Sequence, residues 1–189
     1  MMKLFLQARH WQLFILMFAI FTLFHIVSMH IMLSNITAPA TYDESIVSFM
    51  NYSPLLTVVA LLILLGWIWS IAVGLQTKVP PIAKMKINRF KIFFFCPLLY
   101  MLGLYAFVLY TVDHRIENII TTLALVIPLH FFSMFCLLHN FYFAAKTLKT
   151  VELQREVVFS DFAAEFFLLL FYPAGIWIIQ PRLNALSKS

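Results

Sequence analysis

The chain has 189 residues, of which 63% are hydrophobic and 11% charged. A soluble domain is about 45–50% apolar and about 25% charged, so no single water-facing core of this size hides that much apolar side chain. The net charge is +5, but the basic residues are sorted along the chain, so anionic lipid rather than nucleic acid is the expected partner.

The composition predicts one all-α membrane domain over residues 1–189: a four-transmembrane-helix bundle, a cytoplasmic amphipathic helix and a short apolar C-terminal segment. Lys3 and Arg9 precede Trp11, a basic lead with an interfacial aromatic anchor. The first span is expected over residues 11–33; it is too long for a signal-peptide core and lacks a clear cleavage site, so it is read as retained. The loop of residues 34–53 holds Asp43 and Glu44 but no Lys or Arg. Its Asn35-Ile36-Thr37 matches the glycosylation acceptor pattern, and Ile46 to Tyr52 could lie as a short amphipathic segment on the outer surface.

Ser53-Pro54 reads as a helix cap followed by proline at the first helical position, opening a second span over residues 54–76. Gly66, Ser70 and Gly74 repeat there at four-residue spacing, a small-residue face that lets another helix approach closely. Thr77 to Lys91 then carries Lys78, Lys84, Lys86, Arg89 and Lys91 and no acid. A basic loop between apolar runs stays cytoplasmic, and it is the expected site of anionic lipid.

The third span is expected over residues 92–112, with Pro97 in its first turns, and the short link Asp113 to Asn118 makes it the antiparallel neighbour of the fourth, over residues 119–145. Pro128 should kink that span. Residues 146–165 alternate apolar and charged positions at helical spacing and read as one amphipathic helix on the cytoplasmic face. The segment of residues 166–180 is apolar from Phe166 to Ile179 but interrupted by Pro173 and Gly175. Fourteen helical residues reach only about 21 Å of a hydrocarbon core about 30 Å thick, so this segment reads as re-entrant or interfacial. With this topology all but one, Arg115, of the 13 Lys and Arg face the cytoplasm, and both termini lie there.

Phe171-Tyr172-Pro173-Ala174-Gly175-Ile176-Trp177-Ile178-Ile179-Gln180-Pro181-Arg182-Leu183-Asn184, with Lys149, Glu152, Asp161 and Glu165 upstream, resembles the C-terminus of small uncharacterised bacterial four-helix membrane proteins. The resemblance covers about residues 146–184. It implies a bacterial inner-membrane location and carries over no activity.

All eight acids lie outside the expected spans, as do all Lys and Arg. That argues against a carboxylate relay or a catalytic carboxylate pair within the membrane. His25 and His130 fall at similar depth on different spans, which would suit axial ligation of haem b, or a quinone or metal; a buried histidine bonded to a carbonyl is the simpler reading. Cys96 and Cys136 read as buried apolar residues at somewhat different depths, with no disulfide expected. Asp161 and Glu165, four apart, share a helix face, and a turn near Pro173-Gly175 could bring Arg182 back to them, as a salt bridge or a docking surface. No phosphate loop, CxxC, HExxH or GxSxG motif occurs. The first expectation is a non-catalytic protein of assembly, scaffold or accessory-subunit type, pairing with itself or a larger complex through Gly66, Ser70, Gly74 and the tail. A haem- or quinone-binding anchor comes second, and an oligomeric carrier or channel third.

Overall fold

The computed structural model describes residues 2–37, 44–113 and 119–188. Among them the backbone is helical, with no strand: α1 (Met2–Gln7), α2 (His10–Phe14), a π-helical stretch (Ile15–Ala19), α3 (Ile20–Thr37), α4 (Glu44–Gly74), α5 (Ile87–Asp113), α6 (Ile119–Leu153), α7 (Phe159–Leu170) and α8 (Tyr172–Lys188). Four stretches, His10–His30, Thr57–Lys78, Ile87–Phe107 and Thr122–Leu153, are long and apolar enough to cross a membrane. The link at residues 114–118, with Arg115 and His114, lies outside the described residues, as do Asp43 and the side chains of Asn35 and Thr37.

Several boundaries move from their sequence positions. Helix α4 starts at Glu44, so Ile46 to Tyr52 forms its first turns and Ser53-Pro54 is not its start. Helix α5 starts at Ile87, which puts Pro97 well inside it. Proline lacks the N–H that would bond the carbonyl one turn back. That carbonyl, on Phe93, instead accepts from the Asn140 amide of α6 at 3.4 Å. The α6 backbone stays helical through Pro128 and on to Leu153. The expected amphipathic helix of residues 146–165 is therefore two pieces: the last turns of α6 and the first of α7. Leu148 and Val151 are buried and continue the apolar stripe, so nothing stops α6 until Gln154. Gln154 takes a left-handed φ of 50°, a common helix terminator. Its side-chain amide donates to the Val151 carbonyl at 2.7 Å and to the Lys78 carbonyl at 3.2 Å, tying the end of α6 to the basic loop.

Helices α5 and α6 run antiparallel, with Phe90 stacked on Phe143, Phe93 edge-on to His139 and Tyr100 beside His130. Helix α4 is the most enclosed of the four long stretches, with 44% of its apolar run buried against 11–17% for the others. Helix α1 packs on α4 and α8, and α8 packs on α7. The core gathers at one end of the bundle, around Trp67, Ile68, Ile71, Phe90, Leu148, Phe162, Ile176 and Leu183. At the other end Leu99, Leu102, Leu109, Ile120, Leu125 and Ile127 are exposed.

The apolar tail is a helical hairpin. Phe171 leaves the helix at φ −93° and ψ 56°, and Ala174 and Gly175 donate back to its carbonyl. A β-carbon on Gly175 would stand 1.7 Å from the Leu168 carbonyl oxygen, so only glycine permits this crossing of α7 and α8.

Candidate functional site

The packed end holds two polar assemblies on opposite sides of α8. The first joins Lys149 and Glu152 of α6, Glu165 of α7 and Arg182 of α8. Arg182 grips Glu152 with two parallel hydrogen bonds, Nε to Oε1 at 2.7 Å and Nη2 to Oε2 at 2.5 Å. Its Nη2 also donates to Glu165 Oε1 at 2.7 Å, and Lys149 Nζ donates to the same oxygen at 2.9 Å. Two cations and two anions balance. Bidentate arginine–carboxylate geometry is the strong form of the contact.

Glu165 is the buried member, with 4% of its side chain exposed. Burial pushes its carboxyl up, but hydrogen bonds from Arg182 and Lys149 outweigh that and hold it below the usual carboxylate range. Its Oε2 is buried with no hydrogen-bond partner among the described residues. Arg182 is held firmly protonated by Glu152 first and Glu165 second, against the opposing effect of burial.

Arg182 does return to Glu165, but Asp161 is not part of the group. Asp161 accepts two bonds from Arg155, at 3.0 and 3.1 Å, and one from the Val158 N–H at 3.0 Å, closing the first turn of α7. The Arg155 bonds first, and that backbone bond, hold its carboxyl low. Four-residue spacing put both acids on one face; which cation each meets is set by α6, which runs eight residues past its expected end at Ala145 to Leu153.

The second assembly centres on Gln180, which is fully buried. Its carbonyl accepts from the Trp67 indole N–H of α4 at 2.9 Å. Its amide donates to the backbone carbonyls of Phe5 and Ala8, at 2.8 and 2.9 Å, and to Asn184 at 3.2 Å. Asn184 donates to the Ala8 carbonyl as well. A helix as short as α1 ends in carbonyls with no partner of their own, and these two amides supply one from the far end of the chain. Nothing local in the sequence marks this contact. The small-residue face of α4 serves the same clasp. A methyl added at Gly66 would meet the Phe5 ring at 3.0 Å, and one at Gly74 would meet Leu6 at 2.9 Å. Ser70 is buried and donates to the Gly66 carbonyl. The face is a packing face, as its spacing predicts, but α1 of the same chain covers it.

His25 and His130 have different neighbours. His25 is exposed on α3 with its ring against Phe24. His130, on α6, bonds the Tyr100 hydroxyl of α5 at 3.1 Å. The principal neighbour of α3 among the long helices is α4, while α6 packs on α4, α5 and α7. No hydrogen bond or ring contact among the described residues joins His25 to His130.

Cys96 and Cys136 stand at one level on α5 and α6, contrary to the somewhat different depths expected from the sequence, and the Cys96 thiol donates to the Ile92 carbonyl of its own helix at 3.6 Å. The reason is the shifted helix ends: Phe90 pairs with Phe143, which sets Cys96 and Cys136 at one level.

Of the basic loop, Lys84, Lys86, Arg89 and Lys91 are exposed, while Lys78 donates to the Leu186 carbonyl of α8. No protein family, curated protein or solved structure matches the chain.

Proposed function

We propose that this protein is a non-catalytic subunit of assembly, scaffold or accessory type in a bacterial inner membrane, with both termini and the packed end on the cytoplasmic side. One observation carries the reading: the asymmetry of the bundle. One end is closed by α1, α7 and α8 around two hydrogen-bonded polar assemblies, and the other leaves long apolar faces of α3, α5 and α6 open. Lipid covers some of that area, and helices of another copy or another subunit cover the rest. The Gly66, Ser70 and Gly74 face is already occupied by α1, so assembly uses the open faces instead.

The haem reading stands second, because the partner seen for His130 is the Tyr100 hydroxyl. A carrier or channel needs a polar path, and the open faces are apolar. The charge quartet is a lock between α6, α7 and α8, and the exposed Lys84, Lys86, Arg89 and Lys91 form the surface that meets anionic headgroups.

The test is native mass spectrometry of the protein released from lipid nanodiscs, with cysteine-labelling of single sites at residues 84 and 186 to fix the side. A defined oligomer or a stoichiometric partner, with both sites reactive only from the cytoplasm, supports the reading. A strictly monomeric species with no companion overturns the assembly role. Labelling from the outside overturns the topology.

A further inference from the structure

On the open side of α6 runs a groove of about 360 Å³, walled by α7. That is within the size range of ligand sites, and an apolar lining is usual for them. Phe135, Leu138, His139 and Tyr142 form its floor, and Phe166 of α7 stands beside them. The α6 residues recur at three- and four-residue steps, so they make one stripe along the helix. Phe93 of α5 closes the other side, with its ring centroid 4.8 Å from that of His139 and 6.1 Å from that of Phe135. Phe135, Leu138 and Tyr142 remain exposed.

Two cations stand at the mouth of this groove. Lys146 lies one turn beyond Tyr142 on the same stripe, and Arg89 lies one turn before Phe93 on α5. The Phe90–Phe143 stack brings the two positions close in level. Arg89 is exposed and Lys146 half-buried, and neither has an ion-pair partner among the described residues. Lys149, the next basic residue of α6, is by contrast committed to Glu152 and Glu165. The run from Lys146 down to Phe135 covers about 16 Å of helix, roughly half of a hydrocarbon core about 30 Å thick. The groove therefore has the depth of one leaflet, with positive charge where headgroups lie and apolar rings where acyl chains lie.

We propose that this groove holds one anionic glycerophospholipid of the cytoplasmic leaflet. Its phosphate sits between Arg89 and Lys146, and one acyl chain lies along Phe135, Leu138 and Phe166. The Tyr142 ring stands between the two regions, at a level where a side chain with an apolar body and a polar tip is at home. A phospholipid carries an anion and an apolar chain in one molecule, and the groove offers a partner to each. An arginine fork suits a phosphate, and basic pockets between helices on the cytoplasmic side are where such headgroups bind. The site rests on the reading that the basic end meets anionic headgroups, and it narrows that surface to one bound lipid.

The experiment releases the full chain from nanodiscs of equal phosphatidylglycerol and phosphatidylcholine and reads the lipid it keeps by native mass spectrometry. One phosphatidylglycerol per chain is expected, kept over phosphatidylcholine. Leu138→Trp fills the groove from a lipid-facing position, and the pair Arg89→Gln with Lys146→Gln removes the cations at its mouth. Each should lower the retained phosphatidylglycerol by about fivefold or more. The pair Lys84→Gln with Lys91→Gln removes as much charge from elsewhere on the basic surface, and it should change retention by less than about twofold. Unchanged retention in Leu138→Trp or in the Arg89 and Lys146 pair overturns the site. If the Lys84 and Lys91 pair then lowers retention, the general headgroup surface stands without it. If the parent keeps the two lipids equally, or neither, the site and that surface fall together.

Discussion

Arg182 reaches three carboxylate oxygens on two helices, and the consequence of losing it depends on what stays behind. Truncation to alanine leaves Glu165 buried with Lys149 as its one cation. Breaking a buried pair costs about 3–5 kcal/mol, and the partial exposure of Arg182 lowers that to about 2–4. Unfolding in detergent, followed by the fluorescence of the buried Trp67, should show the loss. The paired change Arg182→Met with Glu165→Met keeps Lys149 and Glu152 as a balanced couple and should recover most of it. The acid dependence follows from the same group. Glu165 titrates below its unfolded value, so its contribution is present above about pH 4.3 and disappears as pH falls through the lower folded value. Thermal midpoints should therefore be level from about pH 7 to about pH 5 and drop below about pH 4. A midpoint that falls already between pH 7 and 5 would contradict the assignment. From the sequence, the Glu165–Arg182 contact was legible, because acids on one helix face and an arginine beyond a Pro-Gly break limit the partners. Glu152 was not, since its spacing put it on the solvent side of an imagined surface helix.

At the scale of helices, apolar run lengths found the four long ones and composition changes misplaced their ends. Lys146, Lys149 and Glu152 mark where a helix stops being apolar, not where it stops being a helix. Helix α6 continues past them because Leu148 and Val151 still have a core to face. The terminator, Gln154, carries no glycine signal and works through its side-chain amide. The same shift hid the common level of Cys96 and Cys136, which follows from register rather than from distance to a loop. The α7–α8 hairpin was legible as an interrupted apolar segment, and the break itself falls at Phe171, before Pro173. Gly175→Ala tests the hairpin. The added methyl collides with a backbone carbonyl that cannot rotate away, so the cost should reach at least about 3 kcal/mol. Limited proteolysis would then cut within α8 faster than in the parent, while Gly103→Ala, where a β-carbon meets nothing, should leave the pattern as it was.

Across the whole molecule, the closed end is held by contacts of very long sequence separation, which is why periodicity and composition could not find them. Residues 5 and 8 bond residue 180, and residue 67 bonds it too. Gln180→Leu removes the amide and leaves the Trp67 N–H and the Phe5 carbonyl without partners, while Ala8 keeps Asn184, at about 1–3 kcal/mol for each buried orphan. Helix α1 should come off the Gly66–Gly74 face. A cysteine placed at Phe5 should then react with maleimide faster than in the parent; unchanged reactivity would mean that apolar packing alone seats α1. The charge quartet should be indifferent to this change, since it lies on the other side of α8.

That clasp sets an order on biosynthesis. Helix α1 is made long before Gln180 and Asn184, which cap it. Until those two residues leave the ribosome, α1 has no cap and nothing but apolar contact to hold it on the glycine face of α4. A chain cut short before Gln180 would therefore hold every long helix with α1 loose, a state quality-control proteases can recognise.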